Sequence, residues 1–300
     1  MIEFAQHVIN GLSLGAIYAL IALGYTMVFG ILQLINFAHG EVYMLGAFSG
    51  YYLSRWLGLS QNPGVGSLLI ALVGSMTFCA AVGYVIERYA YRPLRSRPRI
   101  NVLITAVGVS LLLQYLGQLL FGADPKYFPP LYVAGEPFAF GGLQVNRLQL
   151  LVFVISVILM VGLRFIIFHT KLGRAMRAVS FNHNLAALMG IPVNNIISFT
   201  FMLGSALAGA AGILVGLAYP KIEPLMGTMP GLKAFVAAVF GGIGNVTGAV
   251  VGALTMGFAE EMVVGYWAST YRDALAFAIL ILILLFKPTG LFGKKIAEKV

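Results

Sequence analysis

One short segment places four polar side chains together within a largely apolar sequence. Residues 33–41 read QLINFAHGE and contain Gln33, Asn36, His39 and Glu41. A charged side chain at the centre of a bilayer costs at least ~2.5 kcal/mol, so such groups persist when they are paired, lie near an interface or face water. Asn36 could cap a helix that starts near His39, with Glu41 in its first turn. The segment is therefore either a capped break near the cytoplasmic interface or part of a gate for a solute.

A second break is predicted at Gly241-Gly242-Ile243-Gly244-Asn245. Three glycines in four residues permit close backbone approach, and Asn245 could cap a helix that begins at Val246. The N–H groups of that helix would favour an anionic or polar group in a cavity. A phosphate-binding loop is excluded, because no Lys-Ser/Thr pair follows the glycines. The candidate residues for a translocation or gating role at the two breaks are Gln33, Asn36, His39, Glu41, Gly241, Gly242, Gly244 and Asn245, and the capped break stays the alternative for the first of them.

The sequence offers no convincing catalytic or metal-binding cluster. Asn36, His39 and Glu41 lack the i, i+4 spacing of a helical zinc site, and the other histidines lie outside any cluster. Cys79 is the only cysteine, so it cannot form an internal disulfide, and we expect it to be a small apolar packing residue. We therefore expect no catalytic residue, no metal and no enzymatic activity in this chain.

The composition indicates which structural elements must hold these segments. The chain is 60% hydrophobic and 10% charged, with a mean hydropathy of +0.92, whereas a soluble domain carries roughly 25% charged residues. We therefore predict an all-α polytopic membrane protein of about 8–9 transmembrane helices, some short or broken. Full-length spans are predicted near 8–30, 66–86, 100–121, 148–169, 196–218, 246–265 and 271–287, and shorter runs near 42–57 and 232–242.

The basic residues predict how the chain is oriented. The formal net charge is +9, and the basic residues concentrate in 87–99, 170–195 and the carboxy-terminal tail. The positive-inside rule assigns these segments to the cytoplasm of a bacterial inner-membrane protein, with the amino terminus outside and the carboxy terminus inside. Lys233 falls in a non-cytoplasmic segment, and almost no charged residue is expected deep in the spans. Nucleic-acid binding is not expected, because no basic stripe is interleaved with exposed aromatic residues.

The sequence also resembles itself after a shift of 187 residues. Residues 35–48 and 222–235 then share five identities, and span 8–30 falls on span 196–218. The charge pattern gives these spans opposite directions, which is typical of inverted repeats around a transport pathway. We predict two inverted halves, about 8–121 and 195–287. The five identical pairs are Ile35/Ile222, Gly40/Gly227, Leu45/Leu232, Ala47/Ala234 and Phe48/Phe235.

The segment 170–195 is the longest of the predicted cytoplasmic loops. Asn182 or Asn184 could cap a short helix over 185–189, with Gly190 at its C′ position and Pro192 ending it. Such a helix would expose Leu185, Leu188 and Met189. We expect these side chains to enter a groove on a cytosolic partner, the alternative being a helix that lies flat on the bilayer.

Glu260 and Glu261 lie near the predicted outer end of their helix. They are expected either to be an interfacial pair exposed to water or to dock an external partner. The sequence supports the two interpretations about equally.

Several stretches resemble one transporter family. GRAMRAVSFNHNLAALMGI is similar to the coupling loop of branched-chain amino acid ABC transporter permeases. Three other stretches also resemble that family, in particular its shorter, H-type subunit. They are INGLSLGAIYALIALGYTMVFGILQLINFAHGEVYMLGAF, AFVAAVFGGIGNVTGAVVG and LILLFKPTGLFG. The loop departs from the common acidic pattern at 181–184, which reads FNHN. The resemblance implies that 1–300 is a single permease domain and that the ATPase-coupling residues are Arg174, Arg177, Asn182, His183, Asn184, Leu185, Leu188, Met189 and Gly190.

The family also implies partners for this chain. These are a second permease subunit (a heterodimer or a homodimer), two cytosolic ATPases that bind ATP and Mg²⁺, and an external substrate-binding protein. The chain has no Walker motif and would bind no cofactor itself. Import of branched-chain or related small aliphatic amino acids is the expected function. The alternatives are import of urea or short amides by the same architecture, an ion-coupled secondary transporter and a membrane-embedded enzyme.

Overall fold

The computed structural model describes residues 2–95, 97–140 and 143–293, so the basic tail predicted at Lys294, Lys295 and Lys299 lies outside it. Helices form most of this structure, and short 3-10 turns and one π-helical segment, Ile86–Tyr91, connect some of them. The α-helices are α1 (Ile2–Leu32), α2 (His39–Trp56), α3 (Val65–Val85), α4 (Arg99–Phe121), α5 (Arg147–His169), α6 (Lys171–Phe181), α7 (His183–Leu188), α8 (Val193–Ala218), α9 (Thr228–Gly241), α10 (Val246–Tyr266) and α11 (Arg272–Phe286).

The prediction of full-length spans is confirmed. Seven helical segments of the described chain are long and apolar enough to cross a membrane: α1, α3, α4, α5, α8, α10, and α11 together with the 3-10 turn that precedes it, Ser269–Phe286. The two predicted short runs are also helices, namely α2 with 18 residues and α9 with 14 residues. At 1.5 Å per residue, α9 is only about 21 Å long, less than the ~30 Å thickness of the hydrocarbon core.

Two long helices form the centre of the bundle. Most of α1 and α8 is buried, whereas α4, α5 and α11 expose apolar side chains over most of their length. An exposed apolar helix surface of this extent is stable in lipid and not in water. The fold is therefore that of an all-α polytopic membrane protein.

Small residues bring the central helices close together. Gly15 of α1 faces the backbone of Leu254 in α10, where a β-carbon would lie 2.8 Å from the Leu254 Cα. In the same way, Gly209 of α8 faces Cys79 of α3, where a β-carbon would lie 2.9 Å from the Cys79 Sγ. Cys79 itself is buried, as predicted, and its thiol contacts the Val42 carbonyl oxygen at 3.5 Å.

The helix neighbours follow a repeated pattern. Helix α1 packs against α8, α9 and α10, and α8 packs against α1, α2 and α3. Helix α2 contacts α3 and α4, just as α9 contacts α10 and α11. The helices α1–α4 and α8–α11 therefore have equivalent neighbours within the bundle.

Two short antiparallel ribbons lie at one end of the bundle, and the sequence did not predict them. Strand β1 (Lys126–Tyr127) pairs with β4 (Lys221–Ile222), and β2 (Phe138–Phe140) pairs with β3 (Leu143–Val145). We call this end the ribbon face. Because α4 ends and α5 begins here, their other ends define an opposite end. We call that end the basic face; it consists of residues 86–95, 170–192 and 287–293.

Candidate functional sites

The first break turns the chain back into the bundle. Helix α1 ends at Leu32, where Gln33 adopts a left-handed backbone conformation with φ +52°. The chain then returns along α1, so that the His39 ring packs against Gly24 and lies 4.8 Å from the Tyr25 ring between centroids. Helix α2 therefore begins level with the interior of α1 and not at its end.

The prediction that Asn36 caps α2 is wrong. The N-cap position is Ala38, and no side chain bonds to the first turn there. The Asn36 Oδ1 instead accepts a hydrogen bond of 2.8 Å from the hydroxyl of Tyr91, in the π-helical segment. The prediction that Glu41 lies in the first turn of α2 is confirmed.

The two short helices begin at one place, which we call the junction. A β-carbon on Gly40 would lie 2.6 Å from the Gly227 carbonyl oxygen, and one on Gly227 would overlap the Gly40 carbonyl. Gly231, one turn into α9, lies against Gly40 and the Tyr25 hydroxyl. Gly40 and Gly227 are also a matched pair in the 187-residue repeat. Direct contact of equivalent residues is the arrangement expected beside a two-fold axis.

The junction holds polar atoms that lack partners. His39 and Glu41 are almost fully buried, and within the described residues the His39 Nε2 and the Glu41 Oε2 have no hydrogen-bond partner. A buried polar atom without a partner is costly, so its presence calls for an explanation such as a water molecule, an ion or a functional role. The junction is therefore a site at which a polar solute or water could interact with the protein interior.

The second break lies elsewhere. Asn245 caps α10 as predicted, because its Oδ1 accepts a 3.1 Å hydrogen bond from the Gly248 N–H. Gly242 and Gly244 have φ values of +105° and +91°, conformations that favour glycine. Gly244 lies beside Gly30, near the end of α1. The break is thus at the basic face, apart from the junction.

The chain itself covers this break. The N–H groups of Leu291 and Phe292 donate to the carbonyl oxygens of Phe240 and Gly241 at 2.8 and 3.0 Å. The Asn245 Nδ2 also donates to the Phe292 carbonyl oxygen at 3.0 Å. Residues 291–292 therefore cover the carbonyl end of α9, whereas Val246 and Thr247 at the start of α10 line a cavity of about 260 Å³. That this helix start favours an anionic group stays a prediction.

Helix α7 has the predicted caps at both ends. The Asn182 Oδ1 accepts from the Leu185 N–H at 3.0 Å, so Asn182 and not Asn184 is the cap. Gly190 adopts φ +78°, and the N–H groups of Gly190 and Ile191 donate to the carbonyls of Ala187 and Ala186 at 3.0 Å. These bonds form a Schellman motif. Local interactions thus fix both ends of the short helix α7.

Helix α7 projects its apolar side chains away from the protein. Leu188 and Met189 are each 82% exposed and Leu185 is 53% exposed. Among the other predicted coupling residues, Arg177 donates to the Ile167 carbonyl oxygen of α5. The apolar surface of α7 is therefore free to contact another molecule. The remaining members of the predicted set, Arg174, His183, Asn184 and Gly190, are exposed around it.

The expectation that Glu260 is exposed is wrong. Glu260 is fully buried, and its carboxylate pairs with Lys233 Nζ at 2.8 Å and with the Arg272 guanidinium. The hydroxyl of Tyr18 donates to the same carboxylate at 3.0 Å. Lys233 also pairs with Asp273 at 2.7 Å. We call these five residues the buried charge cluster, after the buried pair Glu260 and Lys233 at its centre; the side chains of Asp273 and Arg272 are 50% and 36% exposed.

The charge cluster corrects two further expectations. Lys233 belongs to helix α9 and is only 5% exposed, so it is not a loop residue. Charged groups are also present inside the helical bundle, where the sequence suggested almost none. The cationic partners of Glu260 lie on α9 and α11. Sequence spacing does not reveal these contacts, and the sequence alone therefore predicts an exposed Glu260. Buried ion pairs join α10 to both of these helices.

Removal of Lys233 is expected to destabilise the protein. A Lys233→Met variant leaves the buried Glu260 with one cation fewer, and breaking a buried pair costs about 3 kcal/mol. The matched control is Lys221→Met, because Lys221 pairs with Glu223 at 3.3 Å on the surface, where a pair contributes about 0.5 kcal/mol. Unfolding in detergent measures the stability of both variants. Equal stability of the two variants would show that the buried cluster is unimportant.

A second buried acid lies at the basic face. Glu87 is fully buried and accepts a 2.6 Å hydrogen bond from the Ser198 hydroxyl at the start of α8. The guanidinium groups of Arg92, at 3.2 Å, and Arg95 also pair with it. Arg92 and Arg95 also donate directly to Ser198 and Asn194, at 2.6 and 3.0 Å, so the basic segment is attached to α8 through Glu87 and through its own arginines. The isolated Glu87 in the sequence ERYAYRPLR was the only available signal of this contact.

The fold and these sites define a class of protein. Long apolar helices surround two short helices that begin within the bundle, an arrangement typical of membrane transporters. Residues 7–284 match the family model for the permease component of branched-chain amino acid transport systems. The chain belongs to this permease family.

Individual relatives agree with this assignment. The chain is 44% identical to BraD of Pseudomonas aeruginosa and 41% identical to LivH of Escherichia coli K12, both described as high-affinity branched-chain amino acid transport system permease proteins. Each comparison covers 99% of this chain and 98% of the relative. A more distant relative, the ribose import permease protein RbsC of E. coli K12, is 24% identical over 93% of this chain and 84% of its own length.

Proposed function

We propose that this chain is the membrane permease subunit of an ATP-driven importer of branched-chain amino acids. The observation that carries the proposal is its similarity, over nearly the whole length, to two permeases described for these substrates. The chain does not hydrolyse ATP. It provides the route through the membrane, and the two cytosolic partner subunits bind ATP and Mg²⁺.

The basic face is the cytoplasmic face in this proposal. Its arginines and lysines favour the inner side of a bacterial membrane, so the amino terminus lies outside and the carboxy terminus inside. The exposed Leu185, Leu188 and Met189 of α7 then enter a groove on an ATPase subunit. An external binding protein docks on the ribbon face, and a second permease subunit completes the membrane assembly.

The solute route runs past the junction. The equivalent neighbours of α1–α4 and α8–α11 support two inverted halves that move relative to each other around it. His39 and Glu41 supply polar atoms at this position, and the close glycine contact of Gly40 and Gly227 forms the closed state. ATP binding by the partners acts on α7, which α6 connects to the bundle.

Reconstitution tests the proposed function. The chain is co-expressed with a second permease subunit, the ATPase subunits and a binding protein from the same organism, and the assembly is placed in proteoliposomes with ATP inside. We expect uptake of labelled leucine that requires ATP and all subunits, with no uptake of urea. Leucine uptake that persists without any ATPase subunit would contradict the proposal and favour a secondary transporter. ATP-dependent uptake of urea, but not of leucine, would show that the importer carries urea and not branched-chain amino acids.

A further inference from the structure

A cavity of about 260 Å³ opens at the ribbon face, among the ends of α1, α5, α8 and α10. It is slightly smaller than the ~300–1,000 Å³ typical of pockets for drug-sized ligands, so it suits a small molecule. The polar groups on its wall include Asn10, Asn146, Gln149 and Glu261. Because the junction lies deeper in the bundle, this cavity is a separate feature.

Glu261 gives the cavity a carboxylate that pairs with no lysine or arginine of the described chain. Its neighbour Glu260 is paired with both Lys233 and Arg272. Glu261 is only 15% exposed, yet within the described chain no lysine or arginine lies within salt-bridge distance of it. Its contacts are the Asn10 amide at 3.3 Å and the His7 ring at 3.6 Å. A largely buried carboxylate favours a cationic partner, and an incoming ammonium group would provide one.

Hydrogen-bond donors lie on another part of the wall. The Asn146 Oδ1 caps α5 by accepting from the Leu148 N–H at 2.9 Å, which leaves its amide NH₂ free to donate. The Gln149 NH₂ donates one hydrogen to the Asn10 Oδ1 at 3.1 Å and retains a second. Both amides are at the start of α5, where the helix dipole also favours an anionic group. This side of the cavity is therefore suited to a carboxylate.

The remaining wall is apolar. Leu14 and Ile17, one turn apart on α1, line the cavity together with Ala218 at the end of α8. Leu14 and Ile17 are otherwise buried, so the apolar surface they offer is continuous with the core. An aliphatic side chain would remove this surface from water.

We propose that this cavity binds an aliphatic amino acid as a zwitterion, with its ammonium group at Glu261, its carboxylate at Asn146 and Gln149, and its side chain against Leu14 and Ile17. The inference rests on the proposed function and deepens it. It gives the permease its own substrate site at the outer entrance, ahead of the junction.

The test measures binding of labelled leucine to the assembled transporter in nanodiscs, without the external binding protein. Glu261→Gln removes the charge and keeps the shape, so we expect leucine affinity to fall about tenfold. Glu223→Gln is the matched control, since Glu223 is exposed on the same face and should leave affinity unchanged. Two leucine analogues complete the test: 4-methylpentanoate lacks the ammonium group, and 3-methylbutylamine lacks the carboxylate. Both should compete poorly.

Each other result would overturn the proposal. Unchanged leucine affinity in Glu261→Gln would place the site elsewhere. Full competition by 3-methylbutylamine would show that the cavity does not bind the leucine carboxylate. Absence of leucine binding by the unmodified assembly, when the same preparation transports leucine with ATP, would refute the site but not the proposed function. If the unmodified assembly transports no leucine at all, the proposed function fails as well.

Discussion

Replacing Leu188 with aspartate is expected to abolish the stimulation of ATP hydrolysis by substrate-loaded binding protein while the permease still inserts into the membrane. Leu188 is 82% exposed at the end of α7, so the change does not disturb the folded chain. It places a charge where we propose that an apolar side chain enters a groove on the ATPase, and burial of an unpaired charge is unfavourable. We expect at least about a tenfold loss of stimulated activity.

Two control variants separate coupling from general damage. Leu188→Met keeps an apolar side chain of similar size and should retain stimulation. Val133→Asp adds the same charge at the opposite end of the protein, where Val133 is 65% exposed, and should leave assembly and the unstimulated rate of ATP hydrolysis unchanged. ATPase assays on the purified assembly provide the measurement. Normal stimulation in Leu188→Asp would refute the coupling role and favour the alternative in which α7 lies flat on the bilayer.

Features determined by local sequence could be predicted well. The seven long spans follow from runs of about 20 apolar residues, a signal that needs no knowledge of neighbouring helices. The ends of α7 follow from Asn182 and Gly190, because both caps bond within the same short segment. The cap of α10 by Asn245 has the same local origin.

Features that depend on distant residues could not be predicted. Asn36 resembles a helix cap in sequence, but its side chain accepts from Tyr91, 55 residues away. Glu260 resembles a surface acid, but α9 and α11 supply its cations. The β-ribbons contain only two or three residues per strand, too few for an alternating pattern to be visible. In each case the deciding contact comes from a segment that the sequence does not identify as a neighbour.

Gly227→Ala is expected to destabilise the protein by about 3 kcal/mol, the upper range for overpacking a well-packed core. The new methyl group would overlap the Gly40 carbonyl and lie 2.9 Å from the Glu41 carboxylate. Most overpacked side chains can rotate away, but here the obstacle is the backbone of α2. The two short helices would therefore have to separate at the junction.

Gly162→Ala on α5 is the matched control for this substitution. A β-carbon at Gly162 would meet nothing within 4 Å, so the higher helix propensity of alanine should stabilise the protein by up to about 1 kcal/mol. The two substitutions thus add the same methyl group and should change stability in opposite directions, as measured by unfolding in detergent. Equal effects would mean that the junction is loosely packed, and the proposal that the glycine contact forms the closed state would then fail. If Gly227→Ala is destabilised but still assembles with its partners, its leucine uptake should be lost, because a separated junction cannot close the solute route.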